Sequence, residues 1–252
     1  MEPCLQHGCA DGVATVTIAN PAKRNAMTAA MWRELPGLLA RYAADPSVRA
    51  LVLTGAGDTF CAGADISSLT EGGPDSRELA IAAEEALAAF PKPTLAAVRG
   101  YCVGGGCQLA AACDLRFAEQ DARFGITPAR LGIVYGPGST RRLVDLVGPA
   151  TAKYLLFSAE LIDAERALRT GLVDEVLPAG GLDKRVAEFT AVLTARSQLT
   201  QAAAKEFAAG PVDPARHAYW TRRMDASGER AEGVAAFLER REPRFTWTPA
   251  TD

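Results

Sequence analysis

The sequence predicts an α/β fold with parallel strand pairing, mostly helical from Gly138 onward. Two patterns carry that prediction. Short β-branched runs alternate with helical stretches through the first half of the chain, and glycine-rich turns sit where strand hands over to helix. From Gly138 onward the pattern is mostly helical, broken by one short apolar run.

The elements follow in order. Residues 13–18 (VATVTI) alternate and are β-branched, so they read as a strand that Asn20-Pro21 ends. Thr28 is the N-cap expected for a helix reaching Tyr42, with Pro36 as a local irregularity. Residues 48–54 (VRALVLT) read as a buried strand running into the turn Gly55-Ala56-Gly57-Asp58. Residues 67–76 read as a mobile loop and 77–90 as a helix. A strand at 94–98 leads through the triple glycine 104–106 to a helix at 108–112 and a further strand at 114–118. A strand at 172–177 precedes four helices at 181–195, 197–209, 214–227 and 229–241.

Composition narrows the function classes. The chain has 252 residues, 48% hydrophobic and 23% charged, enough apolar material for a real core. A net charge of −3 argues against a nucleic-acid partner, which needs a basic face. No apolar run approaches the ~20 residues that span a bilayer, and no signal peptide is visible at the N-terminus. A cytoplasmic location without a membrane partner is the expectation. The six cysteines show no paired CxxC, and only His7 and His217 could join them, so no metal site is expected. The cysteines are expected to be free, mostly buried thiols, with a nucleophilic role as the lesser reading.

The chemistry is expected at two glycine-rich loops. One is Phe60-Cys61-Ala62-Gly63-Ala64-Asp65; the other is Gly104-Gly105-Gly106-Cys107-Gln108. A helix beginning at the second presents unpaired N–H groups and a partial positive charge. Glycine lets a ligand approach without meeting a Cβ. No Gly-Lys-Ser/Thr or GxGxxG pattern follows, so phosphate and dinucleotide cradles are poor fits. Two N–H groups converging on a carbonyl oxygen that becomes an enolate fit better. Tight packing alone is the other reading of the same spacing.

Several motifs together resemble the crotonase superfamily, the enoyl-CoA hydratase/isomerase family. They are NPAKRNA at 20–26, FCAGADI at 60–66, VRGYCVGGGCQLAAACDLRFA at 98–118, RLGI at 130–133, ALRTGLVDEV at 167–176 and EGVAAFLERREPRF at 232–245. The resemblance runs the length of the chain. It implies the α/β crotonase (ClpP-like) fold: a ββα-spiral core over 1–196 and a C-terminal helical trimerisation region over 197–252. It also implies a homotrimer or dimer of trimers, and an acyl-CoA thioester as ligand, with coenzyme A entering as part of the substrate and no separate cofactor. By position, the thioester oxygen would meet the N–H groups of Ala64 and Gly105. Lys23, Arg24, Ala62, Asp65 and Ile66 would line the CoA site, and Phe237 and Arg240 would reach the CoA of a neighbouring subunit.

The chain departs from the family where proton transfer is concerned. The resemblance puts one hydratase glutamate directly after Gly-Gly-Cys, where this chain has Gln108. It puts the second in the loop after Phe124-Gly125, where this chain has Pro128. Neither has a usable pKa near neutrality, so hydration by that pair is excluded. The loop from Phe124 to Tyr135 instead resembles methylmalonyl-CoA decarboxylase-type members, with Tyr135 as orienting group or donor. An acyl-CoA lyase or isomerase is therefore expected rather than a two-glutamate hydratase. A CoA-ligand binder without turnover, or a partner subunit of an assembly, is the alternative.

Other candidates carry plainer readings. Asp65 reads as a turn cap as well as a site residue. Asp114 reads as structural. Glu84 and Glu85 read as a solvated helix face, with a replacement base as the other possibility. Arg141 and Arg142 read as packing or salt-bridge residues, His217 as surface, and the Met and aromatic residues at 219–224 as contact or core positions.

Overall fold

The computed structural model describes residues 2–65 and 76–249. The sequence-predicted loop 67–76 and the candidate Ile66 therefore lie outside the described residues, except for the backbone of Ser76, which begins a helix.

Strand β1 (Cys4–Ala10) turns back at Asp11-Gly12 into β2 (Val13–Ala19), forming an antiparallel hairpin. Both turn residues have positive φ, 50° and 79°, as a tight hairpin turn requires. Helix α1 (Ala29–Ala44) starts where Thr28 Oγ1 accepts from the Met31 N–H at 3.3 Å, so the expected N-cap is present. It keeps Pro36 inside it and leads to β3 (Ala50–Gly55). Helix α2 (Ser76–Ala88), β4 (Thr94–Val98) and β5 (Tyr101–Val103) follow. Then come α3 (Gly105–Ala112), β6 (Leu115–Glu119) and β7 (Arg123–Gly125).

A short 3-10 turn at Pro128–Leu131 precedes α4 (Pro137–Ser158), which breaks at Gly148-Pro149, where Gly148 has φ 74° and ψ 162°. The chain continues through β8 (Ile162–Asp163), α5 (Ala164–Thr170), β9 (Glu175–Leu177) and α6 (Leu182–Ala195). It ends in α7 (Gln198–Ala208), α8 (Pro214–Ser227) and α9 (Glu229–Glu239).

The main sheet has the order β1-β2-β3-β4-β6-β9, and every pair after the first is parallel. The parallel pairing expected from the strand–helix alternation is thus present. A second sheet, β5-β7-β8, pairs β5 with β7 in parallel and β7 with β8 antiparallel. Two reading differences have simple causes. The strand expected at 172–177 is confined to its last three residues, because Leu172 and Val173 N–H groups bond back to Ala167 at the end of α5. The strands of the second sheet are two or three residues long, too short to show a period.

The core lies between the main sheet and the helices. Met31, Trp32, Leu35, Leu38 and Leu39 form one buried stripe of α1 at helical spacing. Each such side chain contributes roughly 1.5–3 kcal/mol on burial. Helix α3 is buried along nearly all of its length, which holds its N-terminus rigidly at the mouth of the second sheet.

Candidate active site

The two glycine-rich loops meet. The stretch after β3 pairs with the residue just before the α1 cap: Gly63 C=O accepts from Met27 N–H, and Asp65 N–H donates to Met27 C=O, both at 2.8 Å. That ladder skips the Ala64 N–H. On the other side, Gly104 N–H donates to Gly125 C=O at 2.8 Å, and the first bond within α3 runs from Gln108 N–H to Gly104 C=O. The Gly105 N–H, at the first position of α3, is left over by the same geometry. No described residue accepts from either group.

Glycine is needed to make this approach. Gly63 has φ 107° and Gly104 has φ 55°, backbone that side-chain-bearing residues rarely adopt. A Cβ on Gly63 would lie 3.4 Å from the Gly105 nitrogen, and one on Gly105 would lie 3.6 Å from the Ala64 nitrogen. The two N–H groups therefore sit side by side, at the positive end of α3. Cys61 Sγ, 3.4 Å from the Gly63 nitrogen, accepts its N–H and steadies the loop.

Both N–H groups open onto a pocket whose wall includes Trp32, Ala62, Ile81, Gln108, Thr127, Pro128, Leu131, Val134, Tyr135 and Ser139. Most of that wall is apolar. Its polar part comprises Arg77, Thr127 and Tyr135 together with Gln108 and Ser139, which are backed by a hydrogen-bonded network. Glu84, only 1% exposed, comes from α2. Its Oε2 accepts from Ser139 Oγ at 2.5 Å and from Gln108 Nε2, and its Oε1 accepts from Arg142. Gln108 Nε2 also lies 3.2 Å from Ser139 Oγ, so the amide nitrogen is committed to the network and Oε1 is the atom left for the pocket. Arg142 reaches Glu85 as well, at 3.3 Å.

This corrects the expectation for Glu84. It is not on a solvated face: it occupies the same helical stripe as Ala80, Ala83 and Leu87, and α3 and α4 close over it. Glu85 does stay on the exposed side. A carboxylate within an apolar stripe was the signal in the sequence that marked Glu84, and Ser139, whose hydroxyl completes the network, carried no signal.

Tyr135 stands on the pocket wall, and no described residue bonds its hydroxyl. Burial, with the Cys107 and Glu84 side chains nearby, holds its phenol well above the usual tyrosine range, so it is a neutral donor. The other described sequence candidates fall outside this pocket wall, Ala62 excepted. Asp65 is buried and pairs with Lys23 Nζ at 2.7 and 3.0 Å, so its carboxylate is engaged as an ion-pair partner. Arg24 lies over the Tyr101 ring at 5.0 Å, and its C=O accepts from Ala62 N–H. Lys23, Arg24, Ala62 and Asp65 thus gather on one rim. Phe237 and Arg240 lie at the end of α9 and do not line the pocket of their own chain.

The plainer readings resolve as follows. Asp114 accepts from Thr94 N–H and from Lys205, a structural clasp. Arg141 pairs with Asp145, and His217 is exposed beside Phe207. Cys61, Cys102, Cys107 and Cys113 are buried free thiols; burial pushes Cys61 and Cys113 up to about 12, far from a reactive thiolate. Among the described residues, no group of three His, Cys, Asp or Glu side chains could hold a metal ion. Among them, too, no helix is long and apolar enough to cross a membrane.

Comparison with known proteins agrees with this fold. The family model described as enoyl-CoA hydratase/isomerase matches residues 8–248. The chain is 36% identical over 248 residues to a crotonyl-CoA hydratase of Syntrophomonas wolfei, covering 92% of this chain and 94% of that one. It is 34% identical over 246 residues to a 2,3-dehydroadipyl-CoA hydratase of Escherichia coli, with the same coverage of 92% and 94%. Among solved structures, an enoyl-CoA hydratase/isomerase family member superposes with a TM-score of 0.92 at 39% identity, over 99% of this chain and 98% of that one. With six motifs in order, a matching fold and relatives aligned over nearly their whole length, the chain belongs to the enoyl-CoA hydratase/isomerase family, within the crotonase superfamily.

Proposed function

We propose that this protein is an enzyme of acyl-CoA thioesters. It polarises the thioester carbonyl between the Ala64 and Gly105 N–H groups and stabilises an enolate-like oxyanion there. One observation carries the reading: two adjacent backbone donors without an acceptor among the described residues, at a helix N-terminus, open onto a largely apolar pocket. Donors aimed at developing charge in a water-poor site are worth far more than in solvent. Lys23 and Arg24, on the rim beside Ala62, would meet the coenzyme A moiety. The hydratase names of the relatives support an enoyl thioester as substrate.

A thermal-shift titration with acetoacetyl-CoA tests the reading. At about a hundred times the dissociation constant, ligand should stabilise the fold by roughly 2.7 kcal/mol. No shift at millimolar ligand overturns it.

A second reading, loss of carbon dioxide from a malonyl-type thioester, is favoured by Tyr135. Its neutral, unbonded hydroxyl could orient the acyl group or deliver the proton. Turnover of methylmalonyl-CoA but not of enoyl-CoA would reverse this ranking.

A further inference from the structure

We propose that Ser139 and Glu84 form a proton relay that does the work of the two absent glutamates; this rests on the acyl-CoA reading above. Ser139 lines the pocket, and Glu84 stands directly behind it. An ionised carboxylate only accepts hydrogen bonds, so the Ser139 O–H must point at Glu84 Oε2. One Ser139 lone pair takes the Gln108 Nε2 proton. The remaining lone pair is an acceptor for a proton arriving from the pocket, as in a hydroxyl activated by an adjacent base. Arg142 bonds the other carboxylate oxygen and so fixes which oxygen serves Ser139.

The relay balances with one carboxylate. A water oxygen bonds to the β-carbon of an enoyl thioester, and the C=C electron pair shifts to give the enolate, whose oxygen lies at Ala64 and Gly105. The water's surplus proton passes to Ser139 Oγ as the Ser139 proton passes to Glu84 Oε2. The return reverses those transfers. Glu84 gives its proton back to Ser139, the Ser139 proton goes to the α-carbon, and the enolate pair becomes the new Cα–H bond. The proton taken from water is matched by the proton delivered to carbon, so no second acid is needed. Gln108 Oε1, the atom of that amide the network leaves uncommitted, can accept from the attacking water and hold it. A purely structural clasp joining α2, α3 and α4 would require the same contacts but would leave turnover independent of the Ser139 hydroxyl.

The test is hydration of crotonyl-CoA by the full chain, followed by loss of enoyl absorbance, beside calorimetry with acetoacetyl-CoA. The unmodified protein should turn over. Ser139→Ala and Glu84→Gln should each lower kcat by about 10²–10⁴-fold, while acetoacetyl-CoA affinity stays within about threefold, a split that separates chemistry from binding. Glu84→Gln combined with Gln108→Glu returns a carboxylate to the same contact and should regain about tenfold or more over Glu84→Gln alone. Ser139→Ala removes only a hydroxyl, so it serves where Glu84→Gln does not fold. Full activity in Ser139→Ala overturns the relay, as does acetoacetyl-CoA binding by an unmodified protein that does not hydrate crotonyl-CoA. Absence of binding in the unmodified protein overturns the acyl-CoA reading instead.

Discussion

Trp32 lies directly against Gly105: a methyl on that glycine would stand 3.0 Å from the indole Cζ2 and 3.3 Å from Cη2. The indole is fully buried in the α1 stripe and has little room to yield. The next glycine is tighter still, because a methyl on Gly106 would lie 2.3 Å from the Cys61 carbonyl oxygen.

These contacts order two variants. Gly105→Ala should fold, losing about 1–3 kcal/mol to overpacking, and its acyl-CoA turnover should fall toward the 10²–10³-fold that loss of one oxyanion donor costs. Gly106→Ala meets backbone rather than a side chain and should be the more damaging to stability. Thermal denaturation of the pair, with turnover of the first, checks the order. Equal melting temperatures would contradict it.

Arg142 is the cation that balances Glu84. Removing one partner of a buried pair costs about 3–5 kcal/mol, and Arg142 is partly solvated, so Arg142→Met should fall at the lower end. In a Glu84→Gln background the same change should cost less, because no buried charge is then stranded. A double-mutant cycle by urea unfolding should return a coupling of about 0.5–3 kcal/mol. Additive effects would mean the pair is not coupled.

Lys92 is a buried lysine outside the pocket. Its Nζ donates to the Tyr42 and Asp45 carbonyls, at 3.1 and 2.6 Å, at the end of α1. Burial pushes its ammonium down to about 8, against about 10.4 for the unfolded chain. Between those values the unfolded chain holds the extra proton, so this group makes stability rise with pH. Lys92→Met should abolish that rise and leave two carbonyls unsatisfied, at a cost of about 1–3 kcal/mol. Urea midpoints should therefore differ more between the two proteins at about pH 9.5 than at about pH 7.5. A constant gap would refute the shift.

Val234, Phe237 and Leu238 form an exposed apolar ridge on α9, with Phe237 83% exposed. We expect copies of this chain to cover it, so light scattering should give three or six times the 26.5 kDa chain mass. Phe237→Glu should shift the mass toward the single chain. A monomeric parent protein at micromolar concentration would end this expectation.

Much of the fold was legible because its signals are local. The alternation of 13–18, the Thr28 cap and the helical periods of the last four segments each lie within one stretch of chain, and each element formed where its own residues placed it. The glycines of both loops were legible too, since positive φ and close approach demand a missing Cβ whatever surrounds them. Strand β1 was not: as an edge strand it buries little beyond Leu5, and its partner β2 supplies the order. The proton-handling end of the site was decided only by tertiary structure. Gln108 and Pro128 announced two missing carboxylates, yet nothing local says what packs against α2. Glu84, Gln108, Ser139 and Arg142 are separated by up to 58 positions and meet only where three helices converge. Burial and pairing are properties of that convergence, and they turn a surface-type residue into a buried carboxylate directly behind the pocket wall.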